Sequence, residues 1–231
     1  MDRRCMVIDL DRCTGCQSCI VSCKFENSVG LGNYWCDVIN VDPVGTHPDI
    51  EMYWLPLLCQ QCEDSPCVAA CPTGASYRDP DNNVVLIDKA KCEGKMECFK
   101  ACPYSDDLGA KRPSVRWFNP VEKVAEKCTL CNHLTAKSDG NENTEDTTDP
   151  DHAVPPCVHN CAARARHYGN LDDPQSDVAK VLAQAEKDGR KIYSLDGKEG
   201  AKATPCTKYI LSEEIAAWRG WGEQVVTQAK D

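Results

Sequence analysis

The sequence predicts an α+β fold: two cysteine-built halves of short strands and helices, followed by a C-terminal αβα extension. Three observations carry this. Of 231 residues 18 are cysteine, and all but Cys5, Cys36 and Cys206 fall in four packets. Short β-favouring runs stand directly before the packets. Beyond residue 175 the packets stop and helical periodicity begins.

Taken in order, Arg4–Asp9 reads as a strand leading into the first packet, Cys13, Cys16, Cys19 and Cys23. Residues 51–55 (Glu-Met-Tyr-Trp-Leu) read as a strand before the second, Cys59, Cys62, Cys67 and Cys71. Residues 73–76 and 79–83 are turn material around a hairpin, and 83–88 read as the strand before the third packet, Cys92, Cys98 and Cys102. The fourth is Cys128, Cys131, Cys157 and Cys161, split by an acidic, turn-rich run at 137–156 that reads as a solvated loop. The extension, 175–231, reads as a helix over Asp177–Lys187, a strand over 191–195 and a last helix around 212–228, whose Trp218 and Trp221 pack on this chain or on another subunit.

Every packet ends in C-x3-C, an internal repeat of strand, cysteine loop and short helix. The first has the bacterial spacing for iron–sulfur ligation: three close thiolates cap one cluster and the fourth reaches another, so clusters come in pairs. A disulfide framework fits poorly, because C-x2-C steps are too tight for unstrained pairing throughout. Structural zinc fits the fourth packet taken alone and none of the others. The third packet departs from the pattern, with Lys95 where a cysteine belongs.

The formal charge of −10 argues against a nucleic-acid or anionic-membrane surface, which needs clustered Lys and Arg. Around the N-terminus only Met6, Val7 and Ile8 form an apolar run, too short for a signal peptide. No segment approaches the ~18 apolar residues of a membrane span. The expectation is a chain that is cytoplasmic, or exported bound to a signal-bearing partner. No phosphate-binding loop or H-E-x-x-H motif is present, so no catalytic site is expected. His133 and His159 adjoin packet cysteines; a solvated or packed role weighs against one in tuning a cluster.

From about residue 4 to 174, with the wording Glu126-Lys127-Cys128-Thr129-Leu130-Cys131 and Gly169-Asn170-Leu171-Asp172-Asp173-Pro174, the chain resembles the iron–sulfur subunits that accompany molybdopterin oxidoreductases of the dimethyl-sulfoxide-reductase superfamily. The resemblance implies two ferredoxin-like halves, one from residues 1–50 and 105–174 and one from 51–104. It also implies the ligand sets. Cys13, Cys16, Cys19 and Cys161 would hold a first cluster; Cys128, Cys131, Cys157 and Cys23 a second; Cys59, Cys62, Cys67 and Cys102 a third. Cys92, Cys98 and Cys71 would hold the fourth, with Lys95 in place of a cysteine. Three [4Fe-4S] clusters and a fourth that is [3Fe-4S] ahead of [4Fe-4S] are expected, with no pterin in this chain.

More narrowly, Gly94-Lys95 and Pro156-Cys-Val-His-Asn-Cys161 are similar to the small subunits of the pyrogallol-phloroglucinol transhydroxylase and catechol dehydroxylase type, where the third packet is more eroded than here. Small subunits of respiratory arsenate reductases look similar too, but keep the full packet. The implied function is an electron relay to or from a large molybdopterin (Mo or W) catalytic subunit, acting on a phenolic aromatic substrate, with a membrane anchor or a soluble donor as further partner. Two other classes stay open: a freestanding polyferredoxin or relay of a hydrogenase or formate dehydrogenase, and a Lewis-acid enzyme using an iron near Lys95 that lacks a cysteine.

Overall fold

The structure is a computed structural model and describes residues 2–105, 114–136, 153–195 and 203–212. Its elements run β1 (Arg4–Asp9), α1 (Ser18–Glu26), β2 (Cys36–Thr46), β3 (Asp49–Leu58), α2 (Pro66–Ala69), β4 (Ser76–Arg78), β5 (Val85–Ile87) and α3 (Glu97–Lys100). They continue with β6 (Arg116–Asn119), β7 (Val124–Lys127), α4 (Asn132–Thr135), α5 (Pro156–His159), β8 (Arg166–Asn170), α6 (Asp177–Lys187), β9 (Lys191–Tyr193) and β10 (Lys208–Leu211). Most of the acidic run, residues 137–152, lies outside the described residues.

The largest sheet has the order β8-β1-β10-β9, with β1 antiparallel to β8 and parallel to β10. Strand β1 is buried along its whole length and sorts its side chains by the period of two. Cys5 and Val7 face α6, with Val178, Ala185, Cys206 and Ile210. Met6 and Ile8 face the cysteine loops, with Leu58, Tyr168, Tyr209 and Leu211. Each buried Val, Leu or Ile there contributes about 1.5–3 kcal/mol of transfer free energy.

Helix α6 falls on the bounds read from the sequence because its ends are marked locally. Ser176 Oγ accepts the Ala179 amide at 3.4 Å at the start. At the other end Gly189 (φ +70) closes a turn in which the Arg190 amide donates to the Ala185 carbonyl.

Four expectations need correction. Strand 83–88 is the shorter β5, because Asn83 takes φ +59 in the turn from β4 and the Asp88 amide donates to the Ala75 carbonyl. The strand expected at 51–55 is the ten-residue β3, paired with a strand that was not expected, β2; their hairpin runs across residue 50. The strand expected at 191–195 ends at Tyr193. The extension is not an αβα unit among the described residues: its third element is β10, which lies between β1 and β9. Burial on both faces, Ile210 toward α6 and Tyr209 and Leu211 toward the cysteine core, makes this short apolar run a strand. The expected last helix, with Trp218 and Trp221, lies beyond residue 212, outside the described residues.

Candidate functional site

The cysteine loops are shaped by residues in the left-handed backbone region. In the first, Gly15 (φ +66) and Gln17 (φ +62) flank Cys16 before α1 begins. In the third, Gly94 (φ +67) and Met96 (φ +57) flank Lys95 before α3 begins, at the same steps from the leading cysteine. The third loop therefore repeats the backbone plan of the first, with Lys95 at the place of Cys16. The second and fourth packets share another plan, in which a proline, Pro66 or Pro156, takes the first helical position directly before Cys67 or Cys157.

Each loop of the first plan is covered by a hairpin. A Cβ on Gly15 would stand 2.2 Å from Trp54 Cδ2, so the β3 indole lies directly on the first loop. A Cβ on Gly94 would stand 2.4 Å from the Lys123 carbonyl oxygen in the β6–β7 turn. Both loops are pinned where a side chain would not fit.

The packet helices meet in two pairs, α1 with α5 and α2 with α3, so packets one and four adjoin and packets two and three adjoin. Electrostatics trace the same grouping. Burial raises the Cys23 thiol, and the charges of Cys128, Cys157 and Cys131 raise it further. These four residues line one cavity. Burial pushes the thiols of Cys128 and Cys131 up to about 12 and that of Cys157 to about 11, with neighbouring thiolates adding to the effect. Cys13, Cys16, Cys19 and Cys161 line a second cavity. Burial raises Cys62, then Cys59, Cys102 and Cys67 do. Burial also raises Cys98, as do the charges of Cys67 and Cys71. Cys92 packs beside Cys67 and Cys98.

Amides and side-chain donors aim at these sulfurs. The amides of Ser76 and Ala165 donate to Cys71 and Cys161 Sγ, each at 3.3 Å. Those of Ala125 and Leu130 donate to Cys92 Sγ at 3.4 Å and Cys128 Sγ at 3.5 Å. Asn27 Nδ2 reaches Cys23 Sγ at 3.7 Å and Cys131 Sγ at 3.6 Å. Such donors favour the thiolate form that a soft metal requires.

Among the described residues, no three His, Cys, Asp or Glu side chains are gathered closely enough to hold a single metal ion. A zinc ion draws its sulfurs to ~2.3 Å from one centre. Thiols that share a cavity yet do not close on one point suit a larger inorganic core, whose irons and sulfides stand between them. Two buried cations supply a further fit. Arg116 and Arg166 are 1% and 2% exposed, and two guanidinium nitrogens of each have no hydrogen-bond partner. Cluster sulfides are acceptors of the kind they lack.

Lys95 is 56% exposed and pairs with Glu93 at 2.7 Å. The hydrogen bond to that carboxylate holds its pKa above the usual lysine value. His133 Nε2 lies 2.8 Å from Glu26 on the surface, and His159 lines the same shallow pocket. Sequence reasoning missed Asn27, Arg116 and Arg166. Arg166 had a local signal, since it is two residues from the core-facing Tyr168 and so shares its strand face. Cys36, left without a role, contacts Arg166 Nη1 at 3.3 Å, and its hydrogen bond holds the Cys19 thiol below the usual cysteine value. Cys5 Sγ donates to the Cys206 carbonyl at 3.1 Å, away from the loops.

Residues 50–171 match the family model described as the 4Fe-4S dicluster domain. A Halobacterium salinarum protein, provisionally named as the iron–sulfur subunit of a dimethyl sulfoxide reductase, is 36% identical over 236 residues, covering 94% of this chain and 81% of the relative. A sulfite dehydrogenase subunit of Allochromatium vinosum is 35% identical over 224 residues, covering 91% and 83%. The arsenate respiratory reductase iron–sulfur subunit of a Shewanella species is 36% identical over 202 residues, covering 77% and 86%. No helix among the described residues is long and apolar enough to cross a membrane.

Proposed function

The chain belongs to the 4Fe-4S dicluster family of iron–sulfur electron-transfer subunits of molybdopterin oxidoreductases, and from that premise we propose that it carries four clusters in a row and relays electrons to or from a molybdopterin catalytic subunit. Cys13, Cys16, Cys19 and Cys161 hold the first cluster, and Cys128, Cys131, Cys157 and Cys23 the second. Cys59, Cys62, Cys67 and Cys102 hold the third, and Cys71, Cys92 and Cys98 the fourth, beside Lys95.

The observation that carries this reading is the continuity of the four thiol groups. The first two groups meet at Arg166, which lines both of their cavities. The second and third meet where the Cys59 charge reaches Cys128. The third and fourth meet at Arg116, which feels the charges of Cys59, Cys67 and Cys102 and also that of Cys98.

Bound clusters supply one-electron chemistry at potentials set by cluster type, charge, sulfur hydrogen bonds and burial. The chain's residues hold the spacing through the paired helices, exclude water with Trp54 and the β6–β7 turn, and aim N–H groups at the sulfurs. At the fourth site three thiols and a solvent-exposed Lys95 paired with Glu93 favour a [3Fe-4S] cluster. The three relatives are named for dimethyl sulfoxide, sulfite and arsenate, none of them a phenol. A phenolic substrate rests only on the wording around Lys95 and Cys157. The cellular compartment, and any membrane anchor or soluble donor, follow the catalytic partner.

The test is purification of the native complex with iron, sulfide, molybdenum and tungsten analysis. Expected are a large pterin-bearing subunit, about 15 irons in this chain and a [3Fe-4S] signal in the oxidised protein. A chain that purifies alone as a competent carrier would instead be a freestanding polyferredoxin. A fourth site that is [4Fe-4S] and binds small molecules would favour the Lewis-acid enzyme.

A further inference from the structure

Arg166 and Arg116 occupy corresponding places beside the two pairs of thiol groups, Arg166 at the first and second and Arg116 at the third and fourth. Each is the first residue of a short strand, β8 or β6, and each is among the most deeply buried side chains of the protein. A guanidinium cannot be stripped of water at this depth without compensating charge and acceptors. The structure supplies only part of that compensation. Arg166 Nη1 lies 3.3 Å from Cys36 Sγ, while Nε and Nη2 have no partner. Arg116 Nη2 lies 3.5 Å from Ser76 Oγ, while Nε and Nη1 have none.

The charges that face them are thiolates from two groups at once. For Arg166 these include Cys19 of the first group and Cys157 of the second. Among the described residues Arg166 alone lines both cysteine-ringed cavities, that of the first group and that of the second. For Arg116 they are Cys59, Cys67 and Cys102 of the third group and Cys98 of the fourth. The orphaned N–H groups of each arginine are thus buried beside thiols of two groups at once.

We propose that Arg166 and Arg116 are potential-setting residues, Arg166 donating from one guanidinium to both the first and second clusters and Arg116 to both the third and fourth, each raising both potentials together. This rests on the four-cluster reading above. An electron arriving on either cluster adds negative charge, which the shared cation stabilises, so removing the cation makes each cluster harder to reduce. Because one cation serves both members, an electron passing between them stays close to the same positive charge. The planar fork of arginine suits this, since its N–H groups diverge toward two partners where an ammonium presents one point charge.

The experiment is an electron paramagnetic resonance redox titration of the complete complex carrying Arg166→Gln or Arg116→Gln. For Arg166→Gln, the reduced-to-oxidised ratio at fixed potential is expected to fall about tenfold or more for the first and second clusters, equivalent to about 59 mV for a one-electron couple. The third and fourth should be unmoved. Arg116→Gln should give the reciprocal result, and Arg166→Lys, which keeps the charge but not the fork, should recover only part of the loss. Full iron content with unmoved potentials, or equal shifts in all four clusters, overturns the proposal while leaving the relay function standing. Iron content too low for four clusters overturns the relay reading and this one with it.

A second measurement needs no variant. In wild-type protein labelled with nitrogen-15 only at arginine, hyperfine coupling to nitrogen-15 is expected at reduced clusters of both pairs, the first with the second and the third with the fourth. Its absence from either pair overturns the proposal.

Discussion

Gln61 Nε2 donates to the Cys128 carbonyl at 3.0 Å while its Oε1 accepts the Val85 amide at 2.8 Å, so one buried side chain ties the second cysteine loop to the fourth and to β5. In Gln61→Ala the Cys128 carbonyl keeps Lys127 Nζ at 2.9 Å, but the Val85 amide is left without its acceptor. The expected cost is about 1–3 kcal/mol. Guanidinium unfolding followed by cluster absorbance should show a lower midpoint, and an unmoved midpoint would mean that the contact carries no stability.

Lys95 stands between Gly94 and Met96 as Cys16 stands between Gly15 and Gln17, with the same sequence of left-handed residues. Lys95→Cys should therefore place a thiolate at the fourth iron without rebuilding the loop. The expected outcome is loss of the [3Fe-4S] signal from the oxidised protein and a four-iron signal on reduction. An unchanged spectrum would show that residue 95 does not reach the cluster.

Cys71 closes the second packet, yet it lies near Cys98 of the third. Cys71→Ser should perturb the site beside Lys95 and leave the cluster of Cys59, Cys62 and Cys67 intact. Spectra that change in the opposite order would refute the ligand assignment.

Gly15 and Gly74 share φ +66 but not their surroundings: a Cβ on Gly15 meets the Trp54 indole, and one on Gly74 meets nothing within 4 Å. Gly74→Ala should cost about 1–2 kcal/mol for backbone strain alone. Gly15→Ala should cost about 2–4 kcal/mol, since overpacking is added. Thermal loss of cluster absorbance separates the two, and equal effects would mean that Trp54 does not press on the loop.

Burial pushes the Tyr168 hydroxyl up to about 12, against about 10 in the unfolded chain. Below pH 10 the phenol is neutral in both states and costs nothing. Between pH 10 and 12 the unfolded state ionises first, so stability falls by about 2–3 kcal/mol as the pH rises through that window. Tyr168→Phe should remove this part of the alkaline loss, as measured by denaturant midpoints from pH 8 to 12. A wild-type slope that survives the substitution would place its origin elsewhere.

What could be read without the structure was local. The four packets declare themselves because ligand spacing is a matter of a few bonds, and α6 declares itself through Ser176 and Gly189 at its ends. Strand β2 was missed because Pro43 interrupts its run, and its pairing with β3 shifts register between Val41 and Val44. Strand β10 was missed because it is a four-residue run whose place in the sheet, between β9 and β1, is set by a parallel partner some 200 residues away, at the register Val7 to Lys208.

The amino-acid order alone thus determined the kind of donor, the loop plan and the odd member of the set, since thiol spacing, glycine placement and Lys95 are written within single segments. Only the tertiary structure decided which packets face one another and which charges are withdrawn from water. Helices α1 and α5 meet across more than a hundred residues, and the burial of Arg116 and Arg166 depends on every layer that closes over them. The cost of a desolvated charge is set by what surrounds it in space, which no stretch of neighbouring letters records.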